Sequence, residues 1–328
     1  MRLLGVEVRR LLARRMLLAA ALAGVAAVVL ITLGIWSSTR PLTQTQLDAA
    51  ERAYQAEVER WEADGDEMLA DCEEAEAAER DLTGDDVDFG CDQMEPQRQW
   101  FFPERPAFGD VAADVLATSS VLLLVLVLVV GVSATAAEIS TGALGTWLTF
   151  VPQRLRVLAS KLASAGVVAL PLVAGLLVLL LAGLWVAHAV NGAAGGTDAE
   201  AWRDIAGTAL RILALGALAG VVGAALGVLL RHTAAALGLL VGWALVVESI
   251  VAGLVPALQP WLLRTSVAAW VQDGTTYWTT ECTVTADGTS CQGVEHHVSL
   301  THGSLWLLAL TVVLVLLTGA VFRRRDVV

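Results

Sequence analysis

Residues 115–137 read VLATSSVLLLVLVLVVGVSATAA, a run without a single ionisable side chain. A bilayer's hydrocarbon core is about 30 Å thick and takes roughly 20 residues of helix, the conformation that satisfies its own backbone where no water can. The run therefore predicts a membrane-spanning helix. Comparable apolar segments occupy residues 16–36, 162–187, 205–230 (interrupted by Arg211) and 303–322, and a further one, 234–255, contains Glu248. The 328-residue chain is 56% hydrophobic and 16% charged, whereas soluble domains are about 45–50% apolar and about 25% charged. The expected fold class is an all-α polytopic membrane protein with six transmembrane helices.

The net charge of −12 is unevenly placed: residues 37–112 hold 21 of the 33 acids and only 6 of the 21 bases. The rest is slightly basic. Arg2, Arg9, Arg10, Arg14 and Arg15 precede the first span; Arg154, Arg156 and Lys161 follow the second, Arg231 the fourth, and Arg323, Arg324 and Arg325 the sixth. With six spans all of these fall on one face, the positive-inside pattern, which predicts a multi-pass protein of the cell (plasma) membrane with both termini cytoplasmic. A cleaved signal peptide is the alternative for the first span, but its apolar run exceeds the usual 7–15 residues. Residues 1–15 are expected to form an interfacial helix, with Leu4, Val8, Leu11 and Leu12 on one face and the arginines snorkelling to headgroups.

The segments expected are thus the interfacial helix at 1–15, spans at 16–36, 113–137, 157–191, 204–230, 234–256 and 303–322, an acidic external domain at 37–112, a cytoplasmic segment at 138–156, an external loop at 257–302 and a tail at 323–328. In the external domain Leu47, Tyr54, Val58, Trp61, Met68 and Cys72 recur at helical spacing. That predicts one or two amphipathic helices broken near Gly65, with a solvated acidic spacer as the alternative. Trp100, Phe101, Phe102 and Phe108 read as re-entry toward the membrane interface. Cys72, Cys91, Cys282 and Cys291 all lie on the external side, where an even count argues for two disulfides. Three connectivities are open, and the two local pairs are favoured because a turn near residues 285–288 would set Cys282 opposite Cys291 in a hairpin. A metal site with His296, His297 and His302 is the alternative, without a CxxC or HxxxH pair to support it.

The only lysine is Lys161, in the context Leu-Ala-Ser-Lys-Leu. No GxxxxGK[ST] phosphate loop is therefore present. Between the second and third spans the order is Glu138, Gly142, Leu144, Trp147, Leu148, Pro152, Arg154, Arg156 and Lys161. This resembles the cytoplasmic coupling segment of ABC-2-type transporter permeases, in which a Glu, a Gly-Thr-Leu or similar, a Leu-Leu, a Pro-x-Arg and a Lys follow in that order. Ala143 stands where Thr is common, with Thr146 three residues later. The basic interfacial start, the six-span layout and the run GVLLRH at residues 227–232 extend the resemblance; the external domain matches in placement only.

The resemblance implies a cytoplasmic coupling helix, a second copy of the chain or a similar permease as partner, and a separate cytoplasmic ABC ATPase subunit that binds ATP and Mg. The chain itself would then be no enzyme, hold no cofactor and have no nucleic-acid partner; its other partner is the lipid bilayer. The implied activity is ATP-driven export of an amphiphilic or hydrophobic solute such as a drug, lipid or peptide. Trp147 is the expected anchor in the ATPase, with an interfacial-belt role as the alternative.

Charges within spans are costly and usually functional. Arg211 and Glu248 both lie roughly 10–12 Å deep at 1.5 Å per residue, so they are expected to pair between neighbouring helices, with lining of a translocation path or a proton relay as alternatives. Gly216, Gly220, Gly223 and Gly227 form a small face on span four, for which Gly238 and Gly242 on span five offer a matching surface. Pro171 would free a carbonyl in span three. A competing function is a membrane-anchored sensing or structural protein whose acidic external domain binds a partner. An intramembrane enzyme finds no HExxH, GxSxG or paired aspartates.

Overall fold

A computed structural model describes residues 2–84, 87–102, 105–143, 145, 153–285 and 288–324. In chain order the helices are α1 (Arg2–Leu12), α2 (Arg15–Ser38), α3 (Gln44–Thr83), α4 (Arg98–Phe101), α5 (Phe108–Ser140), α6 (Arg154–Val190), α7 (Ala199–Leu230), α8 (Thr233–Leu254), α9 (Leu263–Val271) and α10 (Leu300–Arg324). Between α9 and α10 lie two strands, β1 (Thr275–Thr285) and β2 (Gly288–Val298), paired as a hairpin. The chain divides into two compact units, residues 1–38, 107–277 and 295–328 in the first and 39–106 with 278–294 in the second.

The first unit is a helical bundle of a multi-pass membrane protein. Among the described residues six helices are long and apolar enough to cross a bilayer: α2, α5, α6, α7, α8 and α10. Several outrun their expected limits for local reasons. α5 begins at Phe108 rather than 113, because the Phe108 ring is fully buried against His188 and Trp202, with centroids 5.8 Å from each. α7 begins at Ala199 rather than 204 because Asp198 caps it, its Oδ1 accepting from the Glu200 and Ala201 amides at 3.0 and 2.8 Å. The core runs through Leu116, Leu123, Val127, Val173, Leu180, Ile212 and Leu215.

Lipid tails are as apolar as leucine, so helix association in a membrane rests on close packing and interhelical hydrogen bonds. α7 meets that demand with its glycine face. A Cβ on Gly223 would overlap the Leu128 carbonyl oxygen of α5, and one on Gly220 would stand 2.7 Å from the Ala165 carbonyl oxygen of α6. Gly131 of α5 answers from its own side, 2.6 Å from the Gly220 oxygen by the same measure. Thr135 then donates its hydroxyl across the gap to the Ala224 carbonyl at 2.8 Å. Gly238 and Gly242 of α8 correct the expectation of a matching surface: nothing lies within 4 Å of a Cβ built on either. The small face of α7 is consumed by α5 and α6 instead.

α8 is interrupted by a π turn over Val246–Val251. After a 3-10 turn (Pro256–Trp261), α9 forms within the stretch expected to be loop and packs on α10, where a Gly303 Cβ would lie 2.7 Å from the Ser266 carbonyl. At nine residues with Arg264, Thr265 and Ser266 in its first half, it is too brief for a hydropathy signal.

In the second unit α3 is one continuous helix, correcting the break expected at Gly65. Thr43 and Gln46 form a capping box at its start and Gly84, at φ 71°, ends it. Glycine in a helix costs only about 1 kcal/mol, and the flanks are Ala-, Glu- and Arg-rich while the Trp61 ring covers Gly65. α4 docks through Phe101 on Tyr54 (5.6 Å) and Arg98 on Glu51 (3.0 Å). Cys72–Cys91 and Cys282–Cys291 are both bonded, the two local pairs of the three connectivities.

Candidate functional site

α1 is amphipathic, yet the residue at the centre of its inner face is an acid. Glu7 and Leu11, one turn apart, are buried, while Leu12, expected on that face, is 54% exposed. Arg10 and Arg14 lie three and seven residues beyond Glu7, along the same stripe. Glu138 sits in the last turn of α5 and Lys161 two turns into α6, so the two residues bracket the connection between the second and third spans.

These five side chains form one ion cluster. The Lys161 ammonium donates to both Glu7 carboxylate oxygens at 3.2 Å and to Glu138 Oε2. Arg14 donates to Glu138 Oε1 and reaches the Ser133 carbonyl at 3.5 Å. Arg10 stands 3.6 Å from Glu7 and from Glu138. The side chains of Glu7, Glu138 and Lys161 are 3%, 7% and 5% exposed, whereas those of Arg14 and Arg10 are 24% and 38%. The inner three charges are thus desolvated and the outer two grade into solvent.

Each feature has a physical cause. A carboxylate near a helix C-terminus faces the negative end of the dipole, so Glu138 needs cations. The compact Lys161 ammonium carries three rotatable donors and so reaches both carboxylates at once. Removing one partner from a buried pair costs about 3–5 kcal/mol, because the other charge is left uncompensated. The cluster therefore ties α1, α5 and α6 together at the end of the bundle that carries the basic termini.

Of the residues expected to couple to an ATPase, Glu138 and Lys161 are brought together, both in the interior. Gly142 adopts φ 72° and its amide bonds to the Ile139 carbonyl at 3.1 Å, so it ends α5 in a left-handed turn that favours glycine. Arg154 opens α6. Leu144, Trp147, Leu148 and Pro152 lie outside the described residues.

The expected Arg211–Glu248 pair does not form. Arg211 instead binds Asp273 at 2.6 Å and the Val271 carbonyl at 3.3 Å, while Trp270 donates to the Arg211 carbonyl at 3.1 Å. Glu248, in the π turn, accepts from the Leu263 and Arg264 amides at 2.9 and 3.1 Å and from Trp243 Nε1 at 3.0 Å. The first-turn amides of α9 lack intrahelical partners, so a carboxylate satisfies both charge and donors. Both charges serve α9, an element absent from the hydropathy pattern.

Glu7 was also missed, although it had a signal: it is the one acid before Asp48 and falls in register with Leu4 and Leu11. A second feature of the bundle is an apolar groove of about 380 Å³ between α2 and α6, lined by Val28, Thr32, Trp36, Gly183, Val186 and Val190 among others. No family model, curated protein or solved structure matches the chain.

Proposed function

We propose that this chain is the permease subunit of an ABC-2-type, ATP-driven exporter of an amphiphilic or hydrophobic solute, held in the cell membrane with both termini cytoplasmic. The observation that carries the reading is the Glu138–Lys161 closure at the base of the connection between the second and third spans. A rigid bracket there converts a push on residues 141–153 into joint displacement of α5 and α6, and Glu7 and Arg14 extend that displacement to α1. The residue order that resembles the family's coupling segment supports the same assignment, as does the placement of basic residues at this end. The mostly apolar lining of the α2–α6 groove is in keeping with apolar cargo.

In this reading a separate cytoplasmic ABC ATPase binds ATP and Mg, Trp147 and Leu148 enter its surface, and a second permease chain completes the pathway. Glu138 and Lys161 transmit force without touching the partner. The test is co-purification from mild detergent with and without nucleotide. A P-loop ATPase that accompanies the native chain and is lost from Trp147→Ala, with helicity unchanged, bears the proposal out. If no such ATPase accompanies the native chain, the permease reading fails, and the acidic second unit becomes the bait for a binding partner.

A further inference from the structure

The first turn of α6 and the last turn of α10 meet in a way that the ion cluster does not involve. Phe322 of α10 is buried with Val157 and Leu158 of α6 and Val228 of α7. One turn earlier, a Gly319 Cβ would lie 3.9 Å from Leu155. These contacts place Arg323 near Arg154 and Arg156, and the three arginines line one open cavity of about 400 Å³, completed by Gln153 and Leu155. Among the described residues neither Arg156 nor Arg323 pairs with a carboxylate; Arg156 donates to Gln153 at 2.8 Å.

Apolar packing brings Arg156 and Arg323 to one cavity without a carboxylate partner among the described residues, and an anion there relieves their like charge. Planar guanidinium forks match phosphate oxygens bidentately. The cavity opens where α6 and α10 leave their apolar segments, and Leu155, 48% exposed, lies on its rim. Those are the demands of a molecule with a phosphate at the headgroup level and hydrocarbon below it. Basic pockets between transmembrane helices take anionic lipid headgroups by this chemistry.

We infer that Arg154, Arg156 and Arg323 form a binding site for the phosphate headgroup of an anionic phospholipid in the leaflet on the basic side of the bundle. The site is independent of the transporter reading. Its test uses the purified full chain in neutral detergent and a fluorescent phosphatidylglycerol, with phosphatidylcholine of the same chain length as reference. The native chain should prefer phosphatidylglycerol, and Arg156→Gln/Arg323→Gln should weaken that lipid's binding by about tenfold or more. A control, Arg9→Gln/Arg15→Gln, removes the same charge from the same end and should change binding less than about twofold. Equal losses in both variants, or no preference in the native chain, overturn the site. Displacement by inorganic phosphate at millimolar concentration with the lipid's full occupancy lost would assign it to a free anion instead. Should the glutamine variant not fold, a photoactivatable phosphatidylglycerol on the native chain decides: labelling of residues 153–156 or 319–324 supports the site, and labelling only elsewhere overturns it.

Discussion

The bundle handles charge differently at its two ends. At the basic end Glu7, Glu138 and Lys161 are almost wholly desolvated and hold one another, with two arginines as outer screens. At the other end Arg211 and Glu248 are partly solvated, ignore each other, and each takes a partner on or beside the nine-residue α9. A buried ionic cluster locks helices whose alternatives would strand a charge. A half-solvated one merely anchors a short element and tolerates loss. The difference lies in desolvation rather than in the number of contacts.

The largest effect is expected from Lys161→Met, which leaves two facing carboxylates without their central cation. It is expected to destabilise the chain by about 3–5 kcal/mol, measured as thermal unfolding in detergent. The triple variant Glu7→Gln/Glu138→Gln/Lys161→Met should recover most of that, since isosteric replacement of a whole buried ionic group is often close to neutral. A triple variant as unstable as the single one would show that the individual side-chain shapes, not the charges, hold α1 in place. Gly223→Val comes next. Its Cβ meets the Leu128 backbone, which cannot yield as a side chain would, so a loss of about 3 kcal/mol is expected. Gly238→Val, in open space on α8, should fall within about 0.5 kcal/mol of the native chain.

At the far end the effects shrink. Glu248→Gln keeps shape and removes charge, and about 1–2 kcal/mol of α9 anchorage should go with it, read as faster amide exchange over residues 263–271. Arg211→Gln and Asp273→Asn should each cost about 1 kcal/mol or less, because the pair is 26% and 57% exposed and screened by water. A double-mutant cycle giving coupling above about 2 kcal/mol would place Arg211 in the same class as Lys161 and remove the contrast.

How much of this could be read beforehand follows from which physical signal each feature leaves. The six spans, both disulfides and the glycine face of α7 are written in composition and periodicity. Glu138 and Lys161 were marked out by their positions around the connection, as members of a coupling segment, but not as a buried pair. Their partner Glu7 carried a weaker mark, one acid on an apolar face. α9 and the partners that tie Arg211 and Glu248 to it left none, because they depend on residues 15 to 62 positions apart meeting in space.

That the chain crosses a membrane several times is a local property, since each span satisfies its own backbone and hydropathy records that residue by residue. So is the close approach that α7 permits, since only glycine removes the Cβ. Which helices make that approach, and that α5 and α6 use the small face while α8 does not, was decided by the tertiary structure alone. The same holds for the charges. A sequence shows that an ion is placed in an apolar run, but its partner is chosen by the geometry of neighbouring helices, because Coulomb attraction and desolvation act through a few ångströms of space rather than along the chain.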